Sequence, residues 1–382
     1  MGRSRVKVLV FTGSRGEWGY LRPVLSSLQT KGVNFGIIVS NMHIDPMYGN
    51  TSQEIINDGF DIYEKIPMNI SYDSDFSWCR SLGLLASQIP SALERFKPDL
   101  ILLAGDRAET MIFASLSYYT QIPIAHIQAG ELSGHKDGMA RHAISKLVHI
   151  HFASNQDAYD RLIRLGEQPF RIHLTGAPQI DDLMDEQFVR KGENIKEYLK
   201  IEETEQFCLC IFHACSDDEI KLSEKIKEID GIINDKGIMR IWVLPNNDLG
   251  SPEIESEIMK LNKLQVRIAK NLPRSQYAYL LKKCKFIIGN SSSGILEAPI
   301  VGTPSINIGN RQKGRLQAPS VSQFTYYNII ELRKIIEIVF NTKYTPSSFY
   351  GLGRSGEAIT DILLKEDLKS KKLINKYLHE EI

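Results

Sequence analysis

Short apolar runs alternate with segments of helical period along almost the whole chain, and the alternation recurs in two series. The first series is Val6–Phe11, Phe35–Ser40, Leu100–Leu103, Ile122–Ile127, Ile150–Ala153 and Ile172–Leu174; the second is Cys208–Phe212, Met239–Leu244, Val266–Ala269, Phe286–Ile288 and Ser305–Ile308. Strands separated by helices are joined by right-handed crossovers into parallel sheets. The chain is therefore expected to be an α/β protein with two doubly wound halves. The turn-rich Thr175-Gly-Ala-Pro178 divides them, and helical patterns resume near Asp181. The expected domains are residues 1–175 and 176–382, with the polar stretch Gln187–Glu205 early in the second. The segment Asp361–Leu378 is charged and helical in pattern; periodicity assigns it to neither half, and a C-terminal helix packed back on the first domain is one arrangement open to it.

A chain of 382 residues with 42% hydrophobic content has room for about two or three domains and buries ordinary cores without staples. Its 46 basic residues balance 46 acidic ones, so no global field selects nucleic acid or an anionic membrane as partner, and any anion site must be local. Met1-Gly-Arg-Ser-Arg5 leads straight into Val6–Phe11, a run too short for a signal-peptide core or a membrane span, and a cytoplasmic location is expected. The five cysteines lack paired C-x-x-C spacing, which fits reduced thiols rather than a zinc site or a disulfide framework.

In an open parallel sheet ligands bind beyond the carboxyl ends of the strands, so the residues following each apolar run carry the chemistry. The run Gly289-Asn-Ser-Ser-Ser-Gly-Ile-Leu-Glu-Ala-Pro299 follows a strand and reads as the entry to a helix. Backbone amides at Ser291, Ser292, Ser293 and Gly294, with the positive end of a helix dipole, are suited to phosphate oxygens. Glu297, one turn after Ser293, is placed to accept hydrogen bonds from vicinal hydroxyls such as those of a ribose. An ordinary strand-turn-helix joint is the alternative. After the first strand, Thr12-Gly-Ser-Arg-Gly-Glu-Trp-Gly-Tyr20 reads as a flexible loop, with Leu21-Arg-Pro23 opening a helix and Arg15 offering a fork for phosphate. It matches neither G-x-G-x-x-G nor the P-loop, which argues against a dinucleotide dehydrogenase or a P-loop ATPase. Asp106 and Arg107 end another strand, where Asp106 is either a helix cap or a functional acid. His126-Ile-Gln-Ala-Gly-Glu131, Ser133-Gly-His-Lys-Asp137 and Arg141-His142 crowd ionisable groups onto the next strand end, a density that points to a site. In the second half His213 and Pro245-Asn-Asn-Asp248 follow strands, and Gly309-Asn-Arg-Gln-Lys-Gly-Arg315 is a solvated basic turn or a phosphate clamp.

Taken in order, Thr12–Arg15, Met42-His43, Gly105–Arg107, Gly130-Glu-Leu-Ser-Gly134, Arg141–Leu147, Pro245–Asp248, Gly289–Pro299 and Gly309–Arg315 resemble the hydrolysing UDP-N-acetylglucosamine 2-epimerases of sialic and related nonulosonic acid synthesis. The resemblance implies a fold like that of GT-B glycosyltransferases: two Rossmann-like domains, the active site in the cleft between them, and nucleotide contacts mainly from the second. It implies elimination of UDP to a glycal, then hydration to N-acetylmannosamine, with no metal or other cofactor. Arg15, Ser291, Ser292, Ser293, Gly294, Glu297, Asn246 and Arg315 are then the nucleotide and phosphate candidates. Asp106, Glu131, Asp137 and His213 are the catalytic candidates, and His43, Gln128, Arg141 and His142 the sugar contacts. Many relatives carry an acid where this chain has Gln128; an amide cannot act as a base, so proton transfer falls to Asp106, Glu131 or Asp137. Many also have proline after the residue matching His213, where Ala214-Cys-Ser-Asp-Asp218 stands here. The alternatives are a 2-epimerase of a UDP- or GDP-linked 2,4-diacetamido-trideoxy sugar for legionaminic acid, discriminated by the loops His43–Asn50 and Met68–Trp78; a GT-B glycosyltransferase; or an inactive nucleotide-sugar-binding protein. A homo-oligomer, dimer or tetramer, is expected.

Overall fold

The computed structural model describes residues 6–46, 50–69, 74–134, 137–215, 221–246, 250–324 and 328–379. The chain folds as two compact units. Unit 1 is Met1–Glu131, Lys136–Asp181 and Gly351–Ile382; unit 2 is Leu132–His135 and Asp182–Tyr350. Among the described residues no helix is long and apolar enough to cross a membrane.

Unit 1 holds a seven-stranded parallel sheet of β1 (Lys7–Thr12), β2 (Asn34–Val39), β3 (Ile62–Lys65), β4 (Leu100–Ala104), β5 (Ile124–Ile127), β6 (Ile150–Ala153) and β7 (Ile172–Leu174), in the order β3-β2-β1-β4-β5-β6-β7. Unit 2 holds a six-stranded parallel sheet of β8 (Phe207–Ile211), β9 (Met239–Val243), β10 (Val266–Ala269), β11 (Ile287–Gly289), β12 (Ser305–Ile308) and β13 (Val321–Phe324), in the order β10-β9-β8-β11-β12-β13. The inner strands are apolar throughout because helices cover both faces: Leu100–Ala104 is buried at every position, as is Phe207–Ile211. Each sheet reverses its strand order once, between β1 and β4 in unit 1 and between β8 and β11 in unit 2. At such a reversal the connections leave in opposite directions and a crevice opens at the carboxyl ends, which is where these folds take ligands.

The region after β1 differs from the sequence reading. The helix starts at Arg15 and runs to Thr30, so Arg15 is its first residue and Pro23 lies in its interior. Ser14-Arg-Gly-Glu17 is a capping box: the Ser14 hydroxyl accepts from the Glu17 amide, and the Glu17 carboxylate accepts from the Ser14 amide. The three glycines of Thr12–Tyr20 suggest a loop; the reciprocal cap outweighs them. The Asp361–Leu378 stretch is also not one helix, but the end of Ser355–Lys365 and the single turn Lys371–Ile374. Helix Ser355–Lys365 packs on Arg15–Thr30 so closely that a Cβ on Gly356 would stand 2.7 Å from the Pro23 backbone. The Asp181 carboxylate receives the amides of Ser355 (3.0 Å) and Gly356 (2.7 Å), an anion at a helix N-terminus.

Candidate active site

In unit 1 the crevice at β1 and β4 is lined by buried acids. Glu17 Oε2 accepts the Gly13 amide at 2.6 Å and Oε1 accepts the Thr110 hydroxyl at 2.6 Å. Burial, and then the neighbouring Glu109 carboxylate, raise the Glu17 pKa above the usual carboxylate range. Glu109 Oε1 accepts from Asn41 Nδ2 (2.7 Å) and Arg107 Nε (2.8 Å), while Oε2 is buried without a partner. Neither carboxylate stood among the sequence candidates; the S-x-x-E spacing was the available signal for Glu17.

Asp106 follows Gly105, which is held at φ +84°. The cap of the next helix, Ala108–Tyr118, is Arg107, with no side-chain cap bond. The Asp106 carboxylate instead pairs with Nη2 of Arg141, whose side chain is 2% exposed while that of Asp106 is 20% exposed. Arg141 Nη1 also donates to the Gln128 carbonyl at 2.7 Å, so one buried guanidinium joins the ends of β4 and β5. Gln128 is itself buried, in the left-handed region at φ +66°, with Oε1 unpartnered. His126 Nε2 lies 2.7 Å from the Gly105 carbonyl, and burial depresses its pKa to about 3, so the neutral ring supports the turn bearing Asp106.

The remaining unit 1 candidates have varied surroundings. Glu131 accepts from Ser154 Oγ and from Asn155 Nδ2 (2.6 Å), and Asn155 caps helix Gln156–Arg164 through the Ala158 amide at 2.9 Å. His43 has both ring nitrogens engaged, by Thr12 Oγ1 at 3.0 Å and Thr51 Oγ1 at 2.8 Å, and burial lowers its pKa to about 3. Asp137 opens helix Asp137–Leu147 and is half-buried. His142 is also half-buried; burial and then Arg141 lower its pKa. Arg15 is half-buried and faces Glu54. His135, Lys136, Ser216–Asp218, Asn247 and Asp248 lie outside the described residues, as do 47–49 and 70–73 of the loops expected to read the sugar.

In unit 2 the crevice at β8 and β11 brings His213 to the Gly289–Pro299 run. Gly289 sits at φ +151°, where a Cβ would stand 1.8 Å from the Ile211 carbonyl oxygen, so only glycine lets β11 pass β8 here. The Asn246 amide donates to His213 Nδ1 at 3.4 Å, which leaves the proton of a neutral ring on Nε2. The helix read after Ser291 is a single turn, Ser293–Leu296, followed by a 3-10 turn Ala298–Val301. So short a helix carries little dipole. What the joint offers an anion is its amides, and those of Ser291 and Ser292 take no part in its hydrogen bonding. The Glu297 amide donates to the Ser293 carbonyl at 3.0 Å, one turn back, and the Glu297 carboxylate accepts from Arg274 Nη1 at 3.1 Å. Arg315 spends Nε on the Leu132 carbonyl at 2.6 Å and Nη2 on Ser133 Oγ at 3.4 Å, with Nη1 buried and unpartnered.

The profile of the family described as UDP-N-acetylglucosamine 2-epimerase matches residues 26–364. A UDP-N,N'-diacetylbacillosamine 2-epimerase (hydrolyzing) of Legionella pneumophila is 31% identical over 372 residues, covering 97% of this chain and 98% of the relative. A GDP/UDP-N,N'-diacetylbacillosamine 2-epimerase (hydrolyzing) of Campylobacter jejuni is 32% identical over 324 residues, 83% of this chain and 84% of the relative. Among solved structures, UDP-GlcNAc 2-epimerase of Neisseria meningitidis bound to UDP-GlcNAc superposes with a TM-score of 0.79 at 19% identity, over 94% of this chain and all of the other. That likeness agrees with two Rossmann-like units of the GT-B kind. The profile covers most of the chain and the Legionella relative nearly all of it, so the chain belongs to the UDP-N-acetylglucosamine 2-epimerase family.

Proposed function

We propose that this chain is a hydrolysing 2-epimerase acting on a UDP-linked 2-acetamido sugar. The C2 proton of such a sugar is not adjacent to a carbonyl and becomes acidic only as the C1–O bond breaks. A base takes the C2 proton, the C1–O electron pair leaves with UDP, and C1=C2 forms; water then adds its hydroxyl to C1 while a proton returns to C2 from the opposite face. The products are UDP and the free sugar inverted at C2. The reaction needs a base within reach of C2 and donors for the departing diphosphate.

The observation that carries this reading is Asp106. It stands at the β1/β4 reversal of a chain in this family, held by a buried guanidinium and still one-fifth exposed. A carboxylate held in place by a buried guanidinium and still partly exposed to solvent suits a base. Arg15, the amides of Ser291 and Ser292, and His213 through Nε2 serve the leaving group; Glu297 serves the ribose. Gln128, an amide, orients the sugar rather than moving its proton. Glu131, tied to Ser154 and Asn155, acts as frame to the loop.

The substituents at C4 and C6 of the sugar are the variables to test, since the two relatives are named for N,N'-diacetylbacillosamine and the family for N-acetylglucosamine. Purified protein is incubated in heavy water with UDP-N-acetylglucosamine and, separately, with UDP-N,N'-diacetylbacillosamine. The expected products are UDP and a free C2-inverted sugar carrying one deuterium at C2. UDP released without deuterium at C2 overturns the reading, and transfer of the sugar to an added acceptor makes the chain a glycosyltransferase.

A further inference from the structure

Glu297 is one corner of a buried triad within unit 2. Arg274 Nη1 donates to Glu297 Oε2 at 3.1 Å, and Arg274 Nε lies 3.5 Å from Asp182 Oδ2. The side chains of Arg274, Glu297 and Asp182 are 10, 9 and 2% exposed. The Arg274 guanidinium also lies over the Tyr277 ring, 5.6 Å from its centroid. Arg274 is the first residue of helix Arg274–Lys283, directly after Pro273. A cation there faces the positive end of the helix dipole. Burying charges also costs desolvation that an apolar cluster of the same volume avoids. Stability therefore gives little reason for this arrangement, whereas a planar guanidinium set between two carboxylates fixes the orientation of both.

We propose that Arg274 is a positioning residue: it locks the Glu297 carboxylate in the orientation that receives the two vicinal hydroxyls of the bound nucleotide's ribose, with Asp182 steadying the guanidinium from its other side. The proposal rests on the reading of Glu297 as the ribose contact. A free glutamate loses side-chain entropy when it engages a ligand. One already held by a fixed cation has lost it on folding, so the diol meets a preorganised acceptor.

The test compares the affinities of the full-length protein for UDP and for 2′,3′-dideoxy-UDP by calorimetry. Hydrogen bonds to a charged group predict that the wild type prefers UDP by roughly tenfold to a hundredfold. Glu297→Ala is expected to abolish that ratio, and Arg274→Met to reduce it at least fivefold, by about half its logarithm or more, although the carboxylate remains. Arg274→Lys is expected to fall between Met and the wild type. A salt bridge of purely structural role would lower the melting temperature and leave the ratio alone, so a folded Arg274→Met protein with the wild-type ratio overturns the proposal. If Arg274→Met does not fold, Arg274→Gln replaces it under the same criterion. A wild-type protein without preference, or a Glu297→Ala protein that keeps it, overturns the ribose reading itself and is told apart from failure of Arg274 alone.

Discussion

The carboxamide of Asn290 holds the backbone of His213 from both sides: Oδ1 accepts the His213 amide at 2.7 Å, and Nδ2 donates to the His213 carbonyl at 2.8 Å. The Asn290 carbonyl in turn accepts Gln312 Nε2 at 2.9 Å and Arg311 Nη1 at 3.3 Å, and its amide donates to the Ile211 carbonyl at 3.1 Å. One fully buried residue thereby joins the ends of β8 and β11 to the Gly309–Arg315 loop.

Asn290→Ala removes two hydrogen bonds to the backbone of half-buried His213, at a cost of about 1–3 kcal/mol. The expected outcome is a lower urea midpoint with an unchanged m-value, and weaker UDP binding because His213 and the Ser291 amides shift together. Asn290→Asp keeps the acceptor but turns a carboxylate toward the His213 carbonyl, and should be no milder. A folded Asn290→Ala protein with wild-type UDP affinity would separate this bridge from the nucleotide site.

Asp106→Asn preserves shape and can still bond Arg141, but it cannot take a proton. If Asp106 is the base, turnover falls by about 10²–10⁴-fold while UDP affinity stays nearly unchanged. Both are read on the same preparation, by UDP release and calorimetry. Wild-type turnover in this variant would move the base to Asp137 or Glu131.

Much of the fold is legible because the inner strands of a parallel sheet are apolar on both faces. Each apolar run of the sequence falls on a strand. The two unread strands, β3 (Ile-Tyr-Glu-Lys) and β13 (Val-Ser-Gln-Phe), are partly exposed sheet edges in which two adjacent polar residues, Glu64-Lys65 and Ser322-Gln323, leave no apolar run to read. The helix after Ser292 stays at one turn before Pro299, which has no amide to continue the hydrogen-bond ladder. Candidate site residues are legible as polar positions directly after apolar runs. Their pairings are not, since Asp106 meets a partner 35 residues away and Glu297 one 23 residues away.

Unit 1 should be the acid-labile unit. Burial lowers the pKa of His43 and His126 to about 3 and of His149 to about 4, from an ordinary 6.5. His149 Nδ1 accepts the Ile124 amide at 3.1 Å, a bond that requires the neutral ring. These pKa values are depressed on folding, so the stability the neutral rings contribute is present above pH 6.5 and is lost as pH falls toward 4 to 3. Each contributes up to about 1.4 kcal/mol per pH unit in that window. Unit 2 contains only His135 and His213 among the nine histidines. Hydrogen exchange corrected for intrinsic rates, compared at about pH 7 and about pH 5, should show β1, β5 and β6 opening before β8 and β9. Earlier opening of unit 2 would refute the assignment.

The C-terminal segment bears on Asp106 through a helix. Lys376 Nζ donates to the carbonyls of Ser145 and Val148 (2.7 Å), at the end of helix Asp137–Leu147, and pairs with Glu167 at 2.6 Å. Glu167 is fully buried; burial alone would raise its pKa, but its bonds to His151 and Lys376 hold it down to about 2. Arg171 fastens the same segment through the carbonyls of Leu373 (2.6 Å), Lys372 (2.8 Å) and Asn375 (3.0 Å). A cation at the negative end of a helix steadies that helix, and this one carries Arg141, the partner of Asp106. Lys376→Met removes one partner of a buried ion cluster and should cost about 3 kcal/mol. Exchange should rise in residues 137–147, turnover should fall, and exchange in helix Arg274–Lys283 should stay as it was. Unchanged exchange and turnover in a folded Lys376→Met protein would show that Arg141 is positioned by its own contacts alone.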